Sequence, residues 1–519
     1  MTSVERASPA ATSAARIVAR GLLLPAAAGA ACVFGFAPFY AWPVAIVGLA
    51  VLFAVWERSG SPRQAALSGF AFGLGYFLCG VSWVFVSLHY FGSMPAVLAA
   101  IATFLFCAYL ALFPAATGWL AVRFGGSSRF ARLALAAAAF AATEWLRGWL
   151  FTGFPWLAIG TSQVPSSPLA GFAPMVGTYG VSLVVAAIAA MAAALAGSVA
   201  WSRARFALLG AIAAAFLAGV ALRLVEWTSP AGPAVSVALL QGNVPQSLKW
   251  REEVRTKTLT DYQRMIFEAK ARVVVLPETS LPAFLDQIPP EYLQTLLDHA
   301  RQEGKEILMG TVEREYRGQD YDYYNSVVRL TGSTRASYRK RHLVPFGEFI
   351  PPGFKWVLAI LKIPLSDFAS GAAGQKPLEA GGAVFGVAIC YEDMFGEEVI
   401  DALPAAQVLL NVSNDAWFGE SFAADQHLQA SQMRALETGR WMVRSTNTGA
   451  TAAIDEKGRV VSRLPPFVAG TLVASVVPRA GSTPYSRWSD YPALALAAAL
   501  AAVAVARGRR EAGLLKSAL

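Results

Sequence analysis

The chain has 519 residues, 55% of them hydrophobic and only 15% charged, with a formal net charge of +9. A soluble protein carries about 25% charged residues, so a wholly water-soluble chain is excluded, and a membrane bundle plus one sizeable polar domain fits. The basic excess sits mostly as Arg in short loops between apolar runs, a pattern of membrane topology rather than of nucleic-acid binding.

Apolar runs long enough to cross a bilayer, about 20 residues each, lie near 15–33, 34–56, 65–88, 95–122, 133–152, 169–199 and 206–225, with an eighth near 488–506. Arg6, Arg16 and Arg20 mark the start of the first, but a second apolar run comes almost at once, so it reads as a retained helix rather than a cleaved leader. Loop charge alternates along these runs. Arg58 and Arg63, then Arg123, Arg129 and Arg132, then Arg203 and Arg205 mark one side, while the turns near Gly35, HYFGSMP and 152–168 carry no basic cluster. The tail after the last run holds Arg507, Arg509, Arg510 and Lys516. The positive-inside rule then predicts cytoplasmic termini and puts the long polar stretch on the opposite side. The expected organisation is helices 1–7 in residues 1–225, a polar domain in 226–487, and helix 8 with a cytoplasmic tail in 488–519. Within the fifth run, Glu144 and Arg147 share a helix face, either as a structural ion pair or as a grip on a lipid headgroup.

From Val235 the period changes. SVALLQGNV, ARVVVLPE, KEILMGTVE, YYNSVVRLTG, AVFGVAICYE, VLLNVSN, WMVRSTNTG and FVAGTLVASVVP read as strands, and 451–464 as a hairpin around Glu456-Lys457-Gly458. Helices are expected over 252–269, 290–303 and 421–440. Continuous apolar strands such as VVVLP imply burial on both faces and an α/β layered domain with mixed sheets. The stretch 353–368, GFKWVLAILKIPLSDF, is an apolar segment in a polar domain and reads as an arm that dips into the membrane face.

The chain holds four cysteines with no CxxC, zinc spacing or disulfide framework. Cys32, Cys79 and Cys107 lie in apolar runs. Cys390 alone lies in the polar half, at a strand-to-turn junction. Only a thiolate attacks, so Cys390 needs a base or a cation beside it. Glu278 closes an apolar strand and suits proton transfer. Lys340 shares one strand face with Tyr338 and His342, while Arg339 and Arg341 take the other. His342 and His427 are the nearby imidazoles, and His342 reads as a packing or hydrogen-bonded residue. No GxSxG, HExxH or phosphate loop is present.

The motifs LLQGNVPQSLKW, VVVLPETSLP, YYNS, YRKRHLVPFGEFIP, AICYEDMF and NDAWFG, in this order after an apolar half, resemble the apolipoprotein N-acyltransferase family. That family is a membrane-embedded branch of the carbon-nitrogen hydrolase (nitrilase) superfamily. The resemblance implies a multi-pass α-helical membrane domain of eight transmembrane helices carrying a nitrilase-like αββα sandwich. It implies Glu278 as general base, Lys340 as charge and oxyanion stabiliser, and Cys390 as nucleophile, with the Tyr391 N–H as a further oxyanion donor. Trp250, Asn325, Glu348, Tyr391, Glu392 and Trp417 match supporting positions, Glu348 holding Lys340 or Glu278 in register and the two Trp lining an acyl pocket. Leu276 stands where the family often has Trp. The implied reaction moves the sn-1 acyl chain of a phospholipid, phosphatidylethanolamine, through a Cys thioester to the α-amine of a diacylglyceryl-cysteine on a lipoprotein. Implied with it are a bacterial inner membrane, a periplasmic catalytic domain, no metal or organic cofactor, no nucleic acid and a monomer. The competing reading is a membrane-anchored nitrilase-like amidase that uses the same triad on water.

Overall fold

The computed structural model describes residues 19–197, 202–249, 251–330, 336–351, 353 and 367–517. The first half is helical: α1 (Leu24–Cys32), α2 (Trp42–Arg58), α3 (Pro62–Val81), α4 (Ala96–Gly125), α5 (Arg129–Arg147), α6 (Ala173–Ala196) and α7 (Arg203–Arg223). Small residues let these helices cross at backbone distance. A Cβ on Gly29 of α1 would meet the Phe72 carbonyl oxygen at 2.0 Å, and one on Gly75 of α3 would meet the Ala26 carbonyl oxygen at 2.0 Å. No side chain larger than hydrogen fits that contact.

The polar half opens with β1 (Thr228–Pro230), β2 (Val235–Gln241), α8 (Glu252–Glu268), β3 (Val273–Leu276) and α9 (Pro290–Gln302). It continues through β4 (Glu306–Arg317), β5 (Asp320–Arg329), β6 (Ala336–Arg339), β7 (Leu378–Ala380), β8 (Ala383–Ile389) and β9 (Val408–Ser413). Then come α10 (Ala423–Thr438), β10 (Trp441–Thr446), β11 (Ala452–Ile454), β12 (Val460–Arg463), β13 (Gly470–Val476), β14 (Arg479–Gly481) and α11 (Tyr491–Ser517). Two six-stranded sheets form, in the orders β13-β2-β3-β4-β5-β6 and β12-β11-β10-β9-β8-β7, and β1 pairs with β14. In both sheets parallel pairs sit at the centre, β2-β3-β4 in one and β8-β9-β10 in the other. Their inner faces close on Val237, Leu239, Val275, Phe385, Ile389, Leu410 and Val443. That explains the uninterrupted apolar strands, which are covered on both sides.

The outer face of the first sheet carries α8 and α9 through Leu240, Ile266 and Leu296. The outer face of the second carries α10 through Leu409, Leu428 and Met442. The order is helix, sheet, sheet, helix. Helix α10 also packs on the membrane half, because Ala430, Met433 and Leu436 belong to the same core as Phe72, Trp156 and Ile188.

Among the described residues, five helical segments are long and apolar enough to cross a bilayer: Pro62–Val81, Ala96–Gly125, Pro168–Ala196, Arg203–Arg223 and Tyr491–Glu511. Three of the eight expected spans fall short. Helix α1 has nine residues, α2 has 17, and α5 carries Arg129, Arg132, Glu144 and Arg147. Residues 354–366 of the expected membrane arm lie outside the described residues. The chain just after it is anchored, since the Phe368 N–H donates to the Glu348 carbonyl at 2.8 Å.

Glu144 and Arg147 are 5% and 2% exposed. Arg147 donates to the carbonyls of Phe154 and Trp156 at 2.5 and 2.7 Å, and Glu144 accepts from the Ile159 N–H at 2.9 Å. This pair ties α5 to the loop after it. A sealed pair has no face to offer a headgroup, so that alternative is set aside.

Candidate active site

The ends of β3, β6 and β8 converge. Under the end of β3, a Cβ on Gly310 would meet the Pro277 carbonyl oxygen at 2.2 Å, and Ser280 donates its N–H and hydroxyl to the Gly310 carbonyl at 2.9 and 2.8 Å. This fixes the turn that presents Glu278, which is 7% exposed. Strand β6 ends at Arg339, yet the Lys340 N–H still donates to the Asn325 carbonyl at 2.7 Å. The Lys340 side chain, 1% exposed, lies 2.8 Å from Glu348 Oε2 and 3.7 Å from Glu278 Oε1. Asn325 Nδ2 bridges the carboxylates, at 2.7 Å to Glu278 Oε1 and 3.0 Å to Glu348 Oε1. Glu348 is held in turn by the Val344 N–H at 2.9 Å. Burial alone would push Lys340 down, but Glu348 and then Glu278 outweigh it and keep the amine firmly charged.

Cys390 follows β8 with φ of +53°, and Thr279, next to Glu278, has φ of +42°. Side chains other than Gly rarely adopt this region, at a cost of about 1–3 kcal/mol, and it clusters where a group must be aimed. Here it turns the thiol out of the sheet. The Cys390 carbonyl is pinned from behind by Asn411 Nδ2 at 3.0 Å. Burial pushes the thiol up, Glu278 adds to the push, and Lys340 opposes it. The resting group is therefore a thiol that ionises only when a neighbour takes its proton.

Glu392 secures the same turn. Its Oε1 accepts from the Arg341 and His342 N–H groups at 2.7 and 3.1 Å, its Oε2 from the Ile389 N–H at 2.7 Å, and both oxygens from the Tyr338 hydroxyl at 3.2 Å. Burial lifts Glu392 to about 7, restrained by the Ile389 N–H and the Lys340 charge. Only a carboxylate accepts at both ends. In Glu392→Gln the amide nitrogen must face a donor whichever way it turns. If Cys390 is acylated as the sequence leads one to expect, that step should slow by about 10- to 100-fold, the effect of one or two orphaned buried donors. The parent rate should climb with pH as Glu392 ionises near 7, and the variant, with nothing to titrate there, should lack that climb. A parent-like pH–rate profile in the variant would contradict the role.

The other expected residues divide. Tyr391 is buried, donates its hydroxyl to the Gly153 carbonyl at 3.0 Å and stacks on Trp156 at 6.5 Å. Trp417 is half-buried, edge-on to Phe91 at 5.9 Å, and its carbonyl accepts from Ser87 Oγ at 2.7 Å. Both tie the site to loops of the membrane half. Trp250 lies outside the described residues. His342 bridges Glu398 and the Thr152 carbonyl, both at 2.8 Å, and so serves as a tie rather than a base for the thiol.

Sequence reasoning missed a buried quartet behind Cys390. His427 lies 2.7 Å from Asp393 and 3.0 Å from Asp415, and Arg444 pairs with the same two carboxylates at 3.0 and 2.9 Å. An Arg inside the apolar strand WMVRST was the available signal. Sequence reasoning also missed Lys249.

Residues 28–191 match the family model described as apolipoprotein N-acyltransferase N-terminal domain, and residues 236–485 match the one described as carbon-nitrogen hydrolase. The apolipoprotein N-acyltransferase of Nitrosomonas europaea is 48% identical over 497 residues, covering 94% of this chain and 98% of that protein. That of Methylococcus capsulatus is 47% identical over 501 residues, covering 95% and 97%. That of Chromobacterium violaceum is 43% identical over 508 residues, covering 98% and 97%.

Proposed function

The chain belongs to the apolipoprotein N-acyltransferase family, and on that premise we propose that Cys390, Glu278 and Lys340 carry its acyl transfer through a thioester. It is an N-acyltransferase of lipoprotein biosynthesis with a nitrilase-like fold and several apolar helices. Glu278 takes the thiol proton. The Cys390 thiolate attacks the sn-1 ester carbonyl of a phospholipid, phosphatidylethanolamine. Lys340 and the Tyr391 N–H stabilise the oxyanion. The ester C–O bond breaks, the proton on Glu278 passes to the glycerol oxygen, and a lysophospholipid departs. The α-amine of a diacylglyceryl-cysteine then attacks the thioester, gives a proton to Glu278, and takes the acyl chain as an amide while the thiol is restored.

The observation that carries this reading is the placing of Cys390 between an ion cluster and the membrane half. On one side lie Lys340, Glu278 and Glu348, and on the other Tyr391 touches Gly153 and Trp156. An amidase acting on water needs no such junction. Tyr90, Trp149, Phe151, Trp488 and Tyr491 are exposed aromatics flanking the spans, as in an interfacial belt. They suit a periplasmic domain of 226–487 resting on the inner membrane, flanked by the spans in 1–225 and 488–519.

The test is trapping. Detergent-solubilised protein is given phosphatidylethanolamine labelled on its sn-1 chain, without acceptor. Label should appear on the peptide containing Cys390, leave with hydroxylamine, and move to a diacylglyceryl-cysteine peptide on chase. Label leaving only as free fatty acid would favour the hydrolase, and no label on Cys390 would overturn the reading.

A further inference from the structure

Lys249 lies in the QSLKW loop after β2, far in sequence from the other site residues, yet it is 1% exposed. Its ammonium donates to the Thr279 hydroxyl at 2.7 Å and to the Glu278 carbonyl at 3.3 Å. These are the residues of the strained turn that aims Glu278, with Thr279 at φ of +42°. Lys340 has two carboxylates, at 2.8 and 3.7 Å. Lys249 makes no such pair among the described residues. The titratable groups facing it are Glu278, at the end of β3, and Cys390, at the end of β8, with Lys340 beyond Glu278. A buried amine bonded only to a hydroxyl and a carbonyl is a poor structural choice, because no carboxylate in direct contact offsets its desolvation. The same amine is well placed where negative charge appears only during reaction.

We propose that Lys249 is a positioning residue of the acyl-transfer site, clamping the Glu278–Thr279 turn and supplying a second cation toward Cys390 while the thiolate and oxyanion form. This rests on the thioester reading above. The clamp acts through ground-state geometry, and the charge acts through what develops on sulfur and oxygen. The two lysines are tuned apart. Glu348 and Glu278 hold Lys340 charged, whereas burial brings Lys249 down to about 8, with Glu278 limiting the fall. The active form of Lys249 is the ammonium. Acylation should therefore fall as pH rises through about 8, because the second cation and one donor to Thr279 are lost together.

The experiment measures the rate of Cys390 thioester formation from labelled phosphatidylethanolamine between pH 6 and 10 in the parent, Lys249→Met and Thr279→Val. Lys249→Met should acylate about tenfold more slowly at pH 7, the loss of one charge-assisted contact, and should show no fall near 8. Thr279→Val keeps the amine and removes one of its acceptors. It should be slower than the parent while retaining the alkaline fall. Melting curves in detergent separate misfolding from slow chemistry, and if Lys249→Met does not fold, Thr279→Val carries the test. A parent profile with no fall near 8, a Lys249→Met profile that matches the parent, or Thr279→Val at the parent rate would overturn the proposal and leave the thioester reading intact. A parent that takes no label on Cys390 overturns both.

Discussion

Glu278→Gln is expected to fold and yet form the Cys390 thioester about 10³-fold more slowly, within the usual contribution of a positioned general base. Gln keeps an oxygen for the Asn325 amide, which donates to Glu278 at 2.7 Å. The Lys340–Glu348 pair at 2.8 Å is untouched. The melting curve should therefore stay near that of the parent, and the loss should be chemical. The thiol supplies the reason for the size of the effect. Burial and the Glu278 charge hold it protonated, and Lys340 offsets only part of that. Removing the carboxylate removes the proton acceptor, and burial still keeps the sulfur from ionising alone. Single-turnover labelling measures it directly. A variant that labels within about tenfold of the parent would assign the proton to another group, since a positioned base contributes about 10²-fold or more.

How much of this was legible in advance depends on the range of the signal. Glu278, Lys340 and Cys390 each end an apolar or alternating strand, and a side chain at that position must leave the sheet at its rim. Local pattern therefore marks them singly, and the order of motifs marks them as a set. Lys249 has no local mark, because its burial comes from the loop folding back over the end of β3. The quartet is similar. Asp393, Asp415, His427 and Arg444 belong to four separate segments, and apart from Arg444 in its apolar strand each looks like an ordinary polar residue until the sheet and α10 assemble. Helix α10 misleads more actively. Gln426, Gln429 and Gln432 suggest a wet face, but all three are buried. Gln426 accepts from the Trp156 indole at 2.7 Å, and Gln429 accepts from the Ala37 N–H at 2.9 Å and donates to the Val164 carbonyl at 2.8 Å. Gln426 and Gln429 thus finish loops of the membrane half, a partner that periodicity does not reveal. Helix α5 fails as an apolar span for a related reason, since its Arg and Glu serve as ties between helices. Arg132, for example, donates to the Glu57 carbonyl at 2.9 Å.

Arg444→Met is expected to cost the most stability of the changes considered, about 3–5 kcal/mol, the usual result of removing one partner from a buried ion network. Both carboxylates it serves have side chains 0% exposed. Met fills the space but leaves Asp393 and Asp415 with His427 as their remaining cation. Burial pushes Asp415 up, but Arg444 and then His427 bring it below its ordinary 3.8, so its stabilisation holds above 3.8 and is lost as pH falls through the depressed value. Asp393 behaves alike, with His427 ahead of Arg444. For His427, burial and Arg444 push down, while Asp393 and Asp415 raise it on balance above its ordinary 6.5. Its contribution is full below 6.5 and fades as pH rises through the raised value. Without Arg444 the aspartates move up and the histidine moves up further. The variant should therefore unfold at a higher pH on the acid side and lose more stability than the parent on the alkaline side. Thermal midpoints in detergent across pH would measure this, with a drop of about 10 °C near neutrality for a domain of this size. The quartet also stands behind the Cys390 carbonyl, which lies 3.2 Å from His427 Nε2. Loosening it should slow thioester formation even where the variant stays folded, because a nucleophile held at positive φ keeps that conformation only while its surroundings enforce it. A midpoint unchanged across the pH range would mean that Asp393 and Asp415 find compensation elsewhere in the fold.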